Sequence, residues 1–167
     1  MALSGDMTDL DFASIENSML GSYEHTVDGK GRLIIPSKLR SSLGDRFFVT
    51  IGLDHCLFAY NEENWLKFQN HISSLPLSKK DARRLQRSFF AMAADVTTDK
   101  QGRILIPAKL REYAGLDKDV VLLGLANRVE IWSKERYEDY NDFEDSEDAL
   151  EEVMEKFNFG GGLDGDI

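Results

Sequence analysis

A block of thirteen residues occurs twice in this chain, 71 positions apart, and that repetition restricts the fold more than any other feature. The first copy, residues 28–40, reads DGKGRLIIPSKLR, and the second, residues 99–111, reads DKQGRILIPAKLR. Eight of the thirteen positions are identical, pairing Asp28 with Asp99, Gly31 with Gly102, Arg32 with Arg103, Ile35 with Ile106, Pro36 with Pro107, Lys38 with Lys109, Leu39 with Leu110 and Arg40 with Arg111. Self-similarity at one fixed spacing marks a duplicated supersecondary unit. With one residue inserted, the likeness continues through 57–60 against 129–132, and Trp65 falls against Tyr137.

Local rules give each copy the same shape. Residues 23–27 and 94–98 are short β-rich runs that lead into D-x-x-G-R turns, where Gly31 or Gly102 can take positive φ without steric cost. Residues 32–35 and 103–106 return as strands, and Pro36 or Pro107 ends each ladder and suits a first helical position. A short helix such as 37–43 follows, stopped by Gly44 or Gly115 in a C′ role. A second hairpin closes each unit, 47–51 with 57–60 and 120–123 with 129–132, the latter across a 124–128 loop. Each half therefore reads as hairpin, helical turn, hairpin.

Helices follow both halves. Asn61 caps a segment carrying Trp65, Phe68 and Ile72, and Ser133 caps one carrying Tyr137 and Tyr140. Between them, Ser78 and Asp81 form a capping box for a helix with Leu85, Phe89 and Met92 inward and Arg83, Arg84 and Arg87 toward solvent. Residues 145–158 make an acidic amphipathic helix, and Gly160, Gly161 and Gly162 begin a disordered tail. About forty residues of strand and turn are too few to bury a core alone, so the halves must share one, most economically by interleaving their hairpins.

The formal net charge of −10 argues against a polyanionic partner, but it is unevenly spread. Residues 1–18 carry four acids and no base, and residues 134–167 carry thirteen acids and three bases. The middle, 19–133, has seventeen Lys and Arg against thirteen Asp and Glu, so two acidic ends flank a mildly basic body. The acidic ends are expected to repel polyanions held non-specifically. The single cysteine, Cys56, reads as core filler in a reducing cytoplasm. No apolar run approaches eighteen residues, and the first eighteen residues lack the basic start of a signal peptide. No membrane is expected. His25, His55 and His71 share no metal-binding spacing, so neither metal nor other cofactor is expected.

The repeated polar residues fall on a turn and a short helix, which is a binding pattern rather than a buried catalytic one. Lys30, Arg32, Lys38, Arg103 and Lys109 supply donors for phosphate oxygens and guanine edges. Gln101 replaces Lys30 in the second copy and can read adenine or donate to phosphate without adding charge, so unequal binding by the two copies is expected. Asp28 and Asp99 are read as turn-forming rather than catalytic acids. Together with Gly31, Pro36, Gly102 and Pro107 they make a structural signature. Arg40 and Arg111 join it, with acids such as Glu24 and Asp95 or a neighbouring subunit as their partners. The basic face of Lys79, Lys80, Arg83, Arg84 and Arg87 is a solvated surface that can add non-specific attraction to DNA.

The D-x-K-G-R-x-x-I-P-x-x-L-R signature is met in full by residues 28–40 and with one change, at Gln101, by 99–111. It resembles that of the MraZ family in the AbrB-like swapped-hairpin superfamily, over about residues 19–143. The resemblance implies an α+β fold of tandem swapped-hairpin β-barrel halves with flanking helices, related by a pseudo-twofold axis within one chain. Its boundaries are an acidic, flexible extension at 1–18, a first repeat at 22–65, connecting helices at 66–93, a second repeat at 94–137, and an acidic helix and tail at 138–167. It further implies a cytoplasmic, nucleoid-associated, ring-shaped homo-oligomer. Such a ring would bind double-stranded DNA at repeated promoter sites, typically of the operon for cell division and wall synthesis. By position, Lys30, Arg32 and Arg103 are the residues it places on DNA.

Two other functions compete: a ring-forming structural protein, and an antitoxin-like partner-binding protein of the same superfamily. An enzyme or a small-molecule substrate is not expected, because nucleophile elbows, phosphate loops, dinucleotide fingerprints and paired His/carboxylate arrangements are missing from the sequence.

Overall fold

A computed structural model describes residues 15, 18–141 and 147–157. The expectations for residues 1–18 and for the glycine tail fall almost wholly outside the described residues. The chain divides into two compact units, Met1–Lys134 and Glu135–Ile167.

In the first unit the elements run β1 (Met19–Thr26), β2 (Arg32–Ile34), α1 (Ser37–Leu43), β3 (Arg46–Ile51), β4 (Leu57–Tyr60), α2 (Glu62–Ser73) and α3 (Lys80–Ala91). The second repeat continues with β5 (Ala94–Thr97), β6 (Arg103–Leu105), α4 (Ala108–Ala114), β7 (Asp119–Ala126) and β8 (Val129–Ser133). Helix α5 (Lys134–Tyr140) starts at the boundary, and α6 (Glu147–Lys156) lies in the second unit within the expected 145–158 segment. The fold is mixed α+β, with six helices among the described residues and antiparallel sheets.

The strands are exchanged between repeats. One six-stranded sheet has the order β1-β7-β8-β4-β3-β5, and a separate two-stranded ribbon joins β2 to β6. Strand β1 ladders along its whole length with β7 of the other repeat, from Met19 opposite Ala126 to Thr26 opposite Asp119. Reciprocally, β5 pairs with β3, Arg46 opposite Thr97 through Val49 opposite Ala94. The expectation that the first two strands of each repeat make a hairpin of their own is therefore corrected. β1 and β2 are linked by a turn and touch as strands at one bridge, Val27 to Leu33. The reason is length: proline cuts β2 to three residues, and its remaining donors and acceptors are satisfied across the repeat boundary. The later hairpins, β3 with β4 and β7 with β8, stay within their repeats. β7 runs three residues past the expected 123, into the expected 124–128 loop, because β1 supplies a partner for each added position.

One core serves both repeats. Leu33, Ile35, Leu39 and Leu43 from the first copy are at most 2% exposed, and Ile104, Ile106, Leu110 and Ala114 occupy the same stations in the second. Phe47, Val49, Leu57, Val120, Leu122 and Ile131 from the large sheet complete the same cluster. Burying each large aliphatic of this kind stabilises the fold by about 1.5–3 kcal/mol. Divided between two chains half as long, neither share would suffice.

The flanking helices α2 and α3 are held by aromatic stacking. Phe48 of β3 stacks on Trp65 at 5.2 Å, Tyr60 of β4 on Phe68 at 5.0 Å, and Phe68 meets Phe89 edge-on at 5.2 Å. Asn61 caps α2 as expected, its Oδ1 accepting from the Asn64 N–H at 2.8 Å. The Ser78/Asp81 capping box does not form: the N-cap of α3 is Lys79, without a side-chain cap. A turn at Pro76 leads in, with the Lys79 N–H donating to the Pro76 carbonyl, and Arg83 Nη1 donates to the Leu77 carbonyl. Leu85, expected inward, is 42% exposed. The buried stripe is Ala82 and Phe89, with Gln86 between them donating to the carbonyls of Ile72 and Leu75.

Candidate nucleic-acid interface

The two D-x-x-G-R turns have the same geometry. In each, the aspartate Oδ1 accepts two backbone N–H groups: those of Lys30 and Arg32 at 3.0 and 2.9 Å, and those of Gln101 and Arg103 at 2.9 and 3.0 Å. The other oxygen accepts from the arginine Nε, at 2.7 Å in the Asp28 turn and 2.8 Å in the Asp99 turn. These bonds to the ionised form, led by the Arg32 backbone N–H, hold the Asp28 pKa down to about 2, and the Arg103 N–H lowers that of Asp99 likewise. Each carboxylate is therefore committed to shaping its turn.

The turns close with glycines in the left-handed region, Gly31 at φ 87° and Gly102 at φ 76°. Each is covered by the arginine of the opposite repeat. A β-carbon at Gly31 would lie 2.7 Å from Cζ of Arg111, and one at Gly102 would collide with Nη1 of Arg40. The Gly31 carbonyl accepts from the Ile106 N–H and the Gly102 carbonyl from the Ile35 N–H, both at 2.9 Å. The expected acids do not pair with these arginines: Glu24 is engaged by Lys134 and Asp95 by Arg46. Close approach of the guanidinium over a side-chain-free position is what the glycine permits.

Strands β2 and β6 connect the two turns as an antiparallel ribbon with Arg32 opposite Leu105, Leu33 opposite Ile104 and Ile34 opposite Arg103. Leu33 and Ile104 point into the core. Alternation then places Arg32, Ile34, Arg103 and Leu105 on the outer face. The antiparallel register puts the 28–31 turn at one end of the ribbon and the 99–102 turn at the other.

The arginine side chains are 33% and 25% exposed, and only Nε of each is spent on its aspartate. A guanidinium carries five N–H donors, so the terminal nitrogens of both retain donors for an outside acceptor. Lys30 and Gln101 are exposed at the turn tips. Lys38 and Lys109 lie off the ribbon, on α1 and α4, and Lys109 Nζ donates to the Ala91 carbonyl at 2.9 Å. Pro36 and Pro107 are the N-caps of those helices, one place earlier than expected, with φ −53° and −54°. Sequence reasoning missed Lys100. Aligning Gln101 with Lys30 suggests a lost charge, yet an exposed lysine stands one place earlier, opposite Gly29 in the alignment. The adjacent charged letter was the available signal.

The family model described as "MraZ protein, putative antitoxin-like" matches this chain twice, at residues 19–88 and 89–158. The chain belongs to the MraZ family. Among MraZ relatives, the transcriptional regulator MraZ of Thermoanaerobacter pseudethanolicus is 53% identical over 137 residues, covering 82% of this chain and 94% of the relative. The protein of the same name from Lachnoclostridium phytofermentans is 57% identical over 119 residues, covering 71% and 84%. That from Acetivibrio thermocellus is 53% identical over 136 residues, covering 81% and 94%. The two MraZ matches each contain one of the turns.

Among the described residues no group of histidine, cysteine and carboxylate side chains is arranged to hold a metal, and no helix is long and apolar enough to cross a membrane. Cys56 is buried, and burial pushes its thiol up to about 12.

Proposed function

We propose that this chain is a DNA-binding transcriptional regulator that engages duplex DNA through the 28–32 and 99–103 turns and the ribbon between them. The observation that carries the reading is the pair of equivalent turns, each with an aspartate-braced arginine and an exposed lysine, at the two ends of one ribbon. A two-stranded ribbon fits the major groove, and arginines held in one orientation lose little freedom on binding bases or phosphates. The name of the relatives, transcriptional regulator, supports the same reading. Lys30, Arg32, Lys100, Gln101 and Arg103 are the direct contacts, and Lys38 and Lys109 are flanking ones. Asp28, Gly31, Pro36, Arg40, Asp99, Gly102, Pro107 and Arg111 hold the frame.

The finer architecture follows the same line. Exchange of β1 and β5 between repeats supports a swapped-hairpin arrangement with barrel-like halves and an internal pseudo-twofold axis. The remainder of the reading is a cytoplasmic, nucleoid-associated, non-enzymatic protein. It assembles as a ring-shaped homo-oligomer on promoter repeats, such as those of the cell-division and cell-wall operon. The test is a mobility shift on the region upstream of its own gene across several salt concentrations. Log affinity should fall linearly with log salt, and Arg32→Ala should weaken both affinity and slope. Binding left unchanged by Arg32→Ala would refute the assignment of the turns. The description of the family as antitoxin-like favours one competing reading, a toxin-binding protein, for which copurification of a toxin in place of DNA binding is the diagnostic result.

A further inference from the structure

The outer face of the β2–β6 ribbon carries two aliphatic side chains that the basic turns do not account for. Ile34 is 44% exposed and Leu105 is 59% exposed, and they occupy equivalent positions in the two repeats. Each stands directly across from an arginine, Ile34 from Arg103 and Leu105 from Arg32. Their neighbours Leu33 and Ile104 already fill the core beneath, at 0% and 1% exposure, so these two are not needed there. Lone exposed aliphatics are ordinary, but a matched pair set between two braced arginines is an organised surface.

We propose that Ile34 and Leu105 are specificity-determining residues that contact thymine methyl groups in the DNA major groove; this rests on the regulator reading above. The C5-methyl of thymine is the apolar group displayed on the major-groove edge, and aliphatic side chains are its natural complement. An arginine beside an aliphatic on each strand reads guanine next to thymine. A second copy of the chain is a poorer occupant. The face is flanked by Lys30 at one end and Lys100 at the other, while Asp28 and Asp99 are occupied within their turns. Two such faces would set like charge against like, whereas a polyanion neutralises them.

The region immediately upstream of the gene is amplified with dTTP or with dUTP, giving duplexes that differ only in the thymine methyl groups, and the full-length chain is titrated onto both. Each methyl group read by an aliphatic side chain should tighten binding about three- to fourfold, the factor for burying one CH₂-sized group. The wild type should therefore bind the uracil duplex several-fold more weakly. The Ile34→Ser/Leu105→Ser variant should bind both duplexes alike, and Ile34→Val/Leu105→Ile should keep most of the discrimination. An unrelated duplex of equal length, held through its phosphates, should show no preference. Equal binding of both promoter duplexes by the wild type overturns the inference and leaves the regulator reading intact. Discrimination that persists in the serine variant overturns it too. So does a change in sedimentation of that variant with discrimination intact, which assigns the face to contacts between copies. If neither duplex is bound at low salt, the regulator reading fails and the inference falls with it.

Discussion

The two turns share a backbone to within a tenth of an ångström or two in their hydrogen bonds, yet differ in how they are covered and charged. In the first, Arg111 lies over Gly31 while its Nε is tied to the Ile106 carbonyl at 2.9 Å. In the second, Arg40 lies over Gly102, and its guanidinium has no hydrogen-bond partner among the described residues. The first tip carries its cation at Lys30, and the second carries it at Lys100 with Gln101 where the first has lysine. Duplication has thus preserved the frame while letting the parts that touch the outside, and the lid over each glycine, diverge.

The largest difference should appear on filling the glycines. Gly31→Ala combines positive φ with an anchored guanidinium and should cost about 3 kcal/mol, whereas Gly102→Ala meets the free end of Arg40, which can swing aside, and should cost about 1–2 kcal/mol. Chemical denaturation of the two variants checks this, and equal losses would erase the distinction between anchored and yielding lids. Removing the lids comes next. Arg111→Ala should disturb the 28–32 turn and Arg40→Ala the 99–103 turn, each in the other repeat; Arg111→Ala should cost the larger amount, about 1 kcal/mol, because the Ile106 carbonyl loses a donor. Amide chemical shifts of Gly31 and Gly102 report which turn moves, and an effect confined to each arginine's own repeat would break the comparison.

Charge placement gives a smaller effect. Lys30→Ala and Lys100→Ala should each reduce the log–log salt slope of DNA binding by about one, while Gln101→Ala should leave the slope unchanged. A slope that responds to Lys30 and not to Lys100 would restore the unequal-charge expectation. The smallest effect is in acid. Because the Asp28 pKa is depressed to about 2, the stability contributed by its ionised form is complete above about pH 4 and is lost as pH falls toward 2. Asp99 shifts in the same direction, so carboxyl NMR titrations should show both groups titrating below ordinary aspartate.

Much of this was legible in the letters because duplication doubles the signal. Residues 37–43 and 57–60 were placed to the residue, and the D-x-x-G-R turn follows from what Asp and Gly do locally. What single-strand reasoning could not see was partnership. Nothing local to residues 19–26 says that β1 belongs beside β7, and nothing local to Arg40 says that it covers a glycine 62 positions away. Leu85 departs from its expected inward position for a related reason. Its helical spacing suits the core, but Gln86 takes the inward station by satisfying two carbonyls at the end of α2 and just beyond it. On the β2–β6 ribbon, Ile34 and Leu105 read as strand residues like their neighbours, and only the ribbon register assigns them to the outside.

The reciprocal strand exchange also alters what mutation can reach. Were this frame assembled from two identical polypeptides, every change at a tip would appear on both sides at once, and the recognised sequence would be bound to remain palindromic. Fused in one gene, Lys30 and Gln101, or Ile34 and Leu105, can drift separately while each half still supplies the other with a strand. If the tips bind DNA as proposed, covalent linkage frees the molecule to recognise a site whose two sides differ, and so to tell one direction along a duplex from the other.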